Sequence, residues 1–309
     1  MTDQDQANGQ PLRSIMDRAI CLVIEFGGFG LSRKASTGSI VVNADKAMLA
    51  LSKKLLKSKE HGAIVSLDLS IKKYLKQIAL PSPMRNGTHL IPIPLVEEVE
   101  RKLQAWRNER ADLVEVFLAV YPQQLQDVQA ELRDLYNPTD YPSCADLRGR
   151  YRLEWQYVDF GVPGKLKAIS ARLFEAERDK AATKLNEAAV EIKQALRTAF
   201  ADLVSKMAQA LGTTEDGKRR ALRQSTLDNL AGFMQIFEMR NIADDAELAA
   251  LVKTARELMA GKDREILKDD DVRQQIAQGF GTMADKLDTM IIDRGTRAIQ
   301  LDDDEESVA

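Results

Sequence analysis

Cysteine and histidine are scarce: Cys21 and Cys144, His61 and His89 are all that 309 residues contain. Two cysteines give no bridge framework and no ligand spacing, and each histidine stands far from another soft ligand, so no metal site is expected. The compartment this suggests is a reducing cytoplasm. Long apolar runs are missing too. Ala19 to Ile24 is cut by Glu25, too short for a signal core even with Arg13 and Arg18 before it, and no segment reaches the roughly 18 apolar residues of a membrane span. Catalytic signatures are absent: no Gly-x-Ser-x-Gly elbow, no His-Glu-x-x-His, no nucleophile beside its base. The expectation is a non-enzymatic protein without catalytic residues or cofactor. The enzymatic exception would be a carboxylate set, assembled only by the fold, for metal-assisted hydrolysis.

Proline and glycine are absent from Lys165 to Leu211, between Val162-Pro163-Gly164 and Gly212. One helix over that span would be about 70 Å long, so it must project or pair with other helices. Leu185, Ala189, Ile192, Leu196, Ala199, Leu203, Met207 and Ala210 recur at steps of three and four, with Lys184, Glu187, Glu191 and Arg197 between them. This is an amphipathic seam. Leu185, Ile192, Leu196, Leu203 and Met207 are the expected face for a partner helix, of coiled-coil type. The polar Glu175 to Lys180 stretch is expected to be exposed or to hold a break. Only Thr213 to Gly217 separates this helix from Lys218 to Met239, which should fold back along it.

The chain as a whole reads as mainly α with a small β-sheet (α+β), a long antiparallel helical hairpin projecting from an N-terminal mixed region. Residues 1–10 are expected to be disordered, 11–163 mixed, 164–300 a helical hairpin and bundle, and 301–309 an acidic disordered tail. Cys21 to Phe26 fits a helix and a buried strand equally. Ser39 to Val42 reads as a short strand, and Asn43 or Asp45 as the cap of a helix to about Ser58 with Met48, Leu49, Leu51, Leu55 and Leu56 inside. Ile64 to Leu80 is a second amphipathic helix stopped by Pro81. Arg85 to Pro94 reads as a turn and then an extended segment, its prolines limiting it to an edge strand or no sheet. Leu95 to Val120 is helical, and Pro122 lets a new helix begin and run to about Tyr136. Tyr151, Leu153, Trp155 and Tyr157 alternate with Arg152, Glu154 and Gln156, the clearest strand signature in the chain.

Gly27-Gly28-Phe29-Gly30 lacks the order of a phosphate loop and reads as a backbone turn, with Arg33 and Lys34 as the anion-binding alternative. Asp269-Asp270-Asp271 reads as a helix cap rather than a cation site. The net charge of -3 hides a gradient, from a lysine-rich Arg33 to Lys76 to acids outnumbering bases about two to one beyond Asp244. Lys46, Lys53, Lys57, Lys72, Lys73 and Lys76 are the candidate nucleic-acid contacts, able to form one positive surface, without an interleaved aromatic platform for single strands.

The order Asn86-Gly87-Thr88-His89-Leu90-Ile91-Pro92, Tyr121-Pro122, Tyr141-Pro142-Ser143, then Trp155-x-Tyr157 to Val162-Pro163 leading into the long helix, with Arg294-Gly295-Thr296-Arg297 near the end, resembles an uncharacterised family of bacterial, phage and mobile-element proteins known as domain of unknown function 3150. That resemblance covers most of the chain and transfers no catalytic residue. It implies an accessory subunit encoded near MoxR-type AAA+ ATPases and von Willebrand A-domain proteins. The expected function is therefore a cytoplasmic accessory or adaptor protein working through contacts of its long helices, with itself or an AAA+ ATPase. Nucleic-acid binding by the lysine surface is the alternative, and no membrane partner is expected.

Overall fold

A computed structural model describes residues 15, 17–35, 45, 48, 50–82, 87–159, 161–213 and 218–291. Among the described residues the chain is mainly helical with two small antiparallel sheets. It divides into two compact units, Met16–Phe174 and Glu175–Ala309 with Met1–Ile15. Among the described residues, no helix is long and apolar enough to cross a membrane. The expectations for residues 1–10, Ser39 to Val42, Asn86, Arg294 to Arg297 and the acidic tail lie outside the described residues.

The Met16–Phe174 unit is built on β1 (Ala19–Phe26), flanked by β4 (Thr88–Pro92) and β5 (Leu153–Val158), both antiparallel to it. The stretch that fitted helix and strand equally is thus a strand. Pairing on both sides satisfies its backbone, and β-branched Ile20, Val23 and Ile24 suit the pleat. Gly27 ends it: the Gly27 amide donates to the Arg152 carbonyl at 2.7 Å, and a Cβ there would meet the Arg150 carbonyl at 2.3 Å. No other residue fits. The proline-limited segment is an outer strand, as expected.

One face of this sheet receives α1 (Lys59–Ile78) and α2 (Val96–Leu132). Ser58 caps α1 by accepting from the His61 amide at 3.2 Å, and His61, Ile64, Leu67, Ile71, Leu75 and Ile78 form its buried stripe. Gly62 lies inside α1 in helical conformation, and a Cβ there would meet nothing within 4 Å. Gly62→Ala should therefore raise stability by about 0.5–1 kcal/mol, because the unfolded chain loses freedom and nothing clashes. An unchanged or lowered urea midpoint would count against this reading of α1.

Two expectations need correction here. The helix expected up to Ser58 is absent from residues 52–58: β2 (Ser32–Lys34) and β3 (Ser52–Lys54) pair instead, and the Leu55 amide donates to the Leu31 carbonyl at 2.7 Å. Consecutive Leu55 and Leu56, just past β3, both enter the core with Phe29, Phe117 and Tyr121. Met48 is 84% exposed, whereas Asn43 and Leu49 are outside the described residues. Nor does a new helix begin at Pro122; α2 runs straight through it. An interior proline costs about 3 kcal/mol. Buried Phe117, Leu118, Tyr121 and Val128 on both sides of it offset that, and Tyr121 donates its hydroxyl to the Pro142 carbonyl at 3.1 Å. A short α3 (Cys144–Arg150), capped by Ser143, and the five-residue α4 (Lys165–Ile169) complete this unit.

The long helix α5 (Ala171–Leu211) starts after a break at Ser170, whose extended backbone (φ −158°, ψ 116°) separates it from α4. The polar stretch is exposed, as expected, and no side chain from 171 to 184 is buried. Three short-range ion pairs, among them Arg178 to Glu175 and Lys180 to Glu177, dress it. From Leu185 on, the seam closes against the rest of the Glu175–Ala309 unit: α6 (Gln224–Arg240), α7 (Ala246–Met259) and α8 (Asp270–Met290). α6 returns to α5, where the Phe200 and Phe233 rings stack at 5.2 Å. Asp245 caps α7 through the Leu248 amide, and Asp269 caps α8 through those of Asp271 and Val272. The triple-aspartate run is thus the helix cap expected of it.

Candidate interaction surface

The glycine turn after β1 is spoken for. Its carbonyls, not its amides, face hydrogen-bond donors: Arg110 donates to Gly27 at 2.7 Å, and the His61 ring sits 3.1 Å from the Phe29 carbonyl. Because a carbonyl only accepts, His61 Nε2 carries the proton there. Burial pushes the His61 pKa down, and the ring lies edge-on to Phe117 and Tyr151. This is a packed core corner, not an anion cradle. His89 is likewise shifted down by burial. Among the described residues no group of three or more His, Cys, Asp or Glu could hold a metal ion.

The five residues expected to face a partner helix are engaged within the chain. Leu185, Ile192, Leu196 and Met207 are buried and Leu203 is half-buried. A stripe reports that a face will be covered but not by what; here the covering is the chain's own. That seam is therefore not a free surface.

The six candidate lysines do not form one surface either. Lys46 lies outside the described residues. Lys53 points inward, donating to the Leu135 carbonyl at 2.6 Å and pairing with Asp140 at 2.8 Å, its side chain 11% exposed. Lys57 is exposed but pairs with Glu131 at 2.9 Å. Lys53, Lys54 and Lys57 rim a groove of about 300 Å³ floored by Leu56, Val128 and Leu132. Lys72, Lys73 and Lys76 sit about 20 Å further along α1.

These three are exposed, and none makes an ion pair with a described residue. Lys72 lies 5.1 Å above the Phe26 ring, which holds its stem without neutralising it. The two acids of α1 are turned inward: Glu60 receives Ser58 and Gln124, and Asp68 receives Arg110. Consequently the solvent face of α1 carries Lys59, Lys72, Lys73 and Lys76 and no exposed carboxylate. Val65 (43%) and Leu69 (58%) are exposed on the same face. Sequence reasoning passed over both, although a signal was there. They are apolar residues out of phase with the buried Ile64, Leu67, Ile71, Leu75 stripe.

Beside this face the aromatic side chains are already engaged. Tyr74 meets Trp106 edge-on at 5.2 Å, with Lys102 4.0 Å above its ring. Burial and then the Glu98 carboxylate push the Tyr74 phenol up to about 12. Glu100 accepts from Gln104, Trp155 and Tyr157, and Arg107 lies 5.1 Å over Trp155. The hydrogen bond from Gln104, then burial acting in the opposite sense, then the two aromatic donors leave the Glu100 carboxyl below its ordinary range. With cations and edges on their faces, these rings form no open platform for stacking bases.

Charge divides with the units. Met16–Phe174 contains 23 Lys and Arg against 18 Asp and Glu, a formal +5, whereas the remainder of the chain carries 21 against 29, a formal −8. The α1 face is thus a locally unbalanced part of a basic unit. Neither a family model, nor a curated protein, nor a solved structure matches the chain.

Proposed function

We propose that the protein is a non-enzymatic accessory or adaptor protein that works through protein contacts, and that the outer face of α1 is its contact surface. The supporting observation is the cluster of Lys72, Lys73 and Lys76, exposed and without ion-pair partners among the described residues, next to exposed Val65 and Leu69. Surface charges are ordinarily interspersed in sign, and unbalanced ones steer association. The resemblance in the sequence adds the kind of system: bacterial, phage or mobile-element, cytoplasmic, beside a MoxR-type AAA+ ATPase. Affinity purification of the tagged protein from its host, side by side with Lys72→Glu/Lys73→Glu/Lys76→Glu, tests the reading. A partner recovered with the wild type should fall at least about tenfold with the variant, a loss of about 1.4 kcal/mol, while the thermal unfolding midpoint is retained. Equal recovery from both would remove α1 as the contact surface.

The same three lysines favour a second reading, in which the partner is nucleic acid. Three phosphate contacts predict an affinity falling with salt at a log–log slope of roughly −2.7. A filter-binding titration with duplex DNA should show that slope and lose it in the triple variant. No binding at low salt would eliminate nucleic acid.

A further inference from the structure

The exposed residues of α1 are not scattered. Val65, Leu69, Lys72 and Lys76 follow at steps of four, three and four, which at 3.6 residues per turn places them within about 60° around the helix axis and over about 16 Å of its length. The first half of that stripe is apolar and the second half is cationic. Lys73 and Gly62 flank it, and space is open above Gly62. Isolated exposed apolar residues are ordinary on any surface. Two of them one turn apart, running on into lysines with no exposed carboxylate on α1 itself, make a bipartite surface.

Each part narrows the partner. A phosphate backbone would use the lysines and leave Val65 and Leu69 idle, because neither can donate a hydrogen bond to phosphate. A purely apolar partner would bury Lys72 and Lys76 without a counter-charge, which is costly. A helix offering two or three apolar side chains at steps of three and four, edged by Glu or Asp on the side meeting Lys72, Lys73 and Lys76, satisfies both halves at once. We infer that the occupant of the α1 face is an acidic amphipathic helix of a partner protein. This rests on α1 being the contact surface and specifies the partner's chemistry.

The probe is a synthetic 20-residue helical peptide with leucines at helical spacing flanked by glutamates. A scrambled peptide of the same composition and a 20-base-pair duplex serve as comparisons, each titrated against the full chain by fluorescence anisotropy. The amphipathic peptide should bind at least about tenfold more tightly than its scramble. Val65→Ser/Leu69→Ser and Lys72→Glu/Lys73→Glu/Lys76→Glu should each weaken it by about tenfold or more. All these positions are exposed, so both variants should keep the wild-type circular dichroism and melting midpoint. Equal binding of the two peptides, or full binding by the serine variant, would overturn the amphipathic helix while leaving a charge-driven α1 surface standing. Tighter, lysine-dependent binding of the duplex would overturn it in favour of nucleic acid. Failure of the peptide to bind, or binding unaffected by the lysine variant, would overturn the inference as well, and the second of these would also remove α1 as the surface.

Discussion

Arg273→Met is expected to destabilise the Glu175–Ala309 unit by about 3–5 kcal/mol. Arg273 is 8% exposed and donates from Nε to the Leu211 carbonyl at 2.8 Å and through one terminal nitrogen to those of Ala210 (2.6 Å) and Arg220 (2.7 Å). The last carbonyls of a helix have no partner within it, and here one guanidinium on α8 supplies donors to the end of α5 and to the segment leading into α6. Its positive charge also lies at the negative pole of α5. Burial, and then the charge of Arg219, hold its pKa below the ordinary arginine value. Methionine matches the stem's volume but removes every donor, leaving those three acceptors, and the Leu267 carbonyl that the other terminal nitrogen reaches at 3.5 Å, to find water or go without. Arg273→Lys keeps the charge but not the planar fork and should recover no more than about half of the loss. Urea unfolding with amide exchange read on α5 and α6 checks this. A midpoint within error of wild type for the methionine variant would mean that these carbonyls are satisfied otherwise.

Arg110→Ala should have a comparable effect in the Met16–Phe174 unit, about 3–5 kcal/mol. Arg110 is 3% exposed and grips Asp68 with two hydrogen bonds, 2.7 and 3.1 Å, while donating to Gly27 at 2.7 Å from beneath Tyr151. Truncation strands a partly buried carboxylate and also releases the turn that positions β1 against β5. Asp68→Ala strands the buried cation in turn. Removing both at once, in Arg110→Ala/Asp68→Ala, should cost clearly less than the sum of the single losses, with a coupling of about 1–3 kcal/mol across the double-mutant cycle. Additive losses would show that the two side chains act independently.

How much of this was legible beforehand depended on how local the causes were. The aromatic alternation around Trp155 announced β5, the periodic leucines and isoleucines announced α1 and the second half of α5, and the triple aspartate announced the cap of α8. Each is dictated by neighbours within a few residues. The β2–β3 pairing was not visible, because two three-residue strands of serine, lysine and arginine carry no apolar alternation and are joined only through a long-range ladder. Pro122 misled for a related reason: its local cost is real, but tertiary burial around Phe117 and Tyr121 overrides it. The candidate surface divided in the same way. A run of lysines predicts a solvated face, which suffices for Lys72, Lys73 and Lys76. It contains nothing to say that Lys53 would meet Asp140 and the Leu135 carbonyl, far along the chain.

Photo-crosslinking in the native host offers the shortest route to the working surface. Leu69, exposed on α1, and Val190, 48% exposed on α5, would each be replaced by photoreactive benzoylphenylalanine. Irradiation should trap a discrete protein adduct from position 69 and none from position 190. An adduct from 190 with nothing from 69 would contradict the assignment and return the search to the long helix.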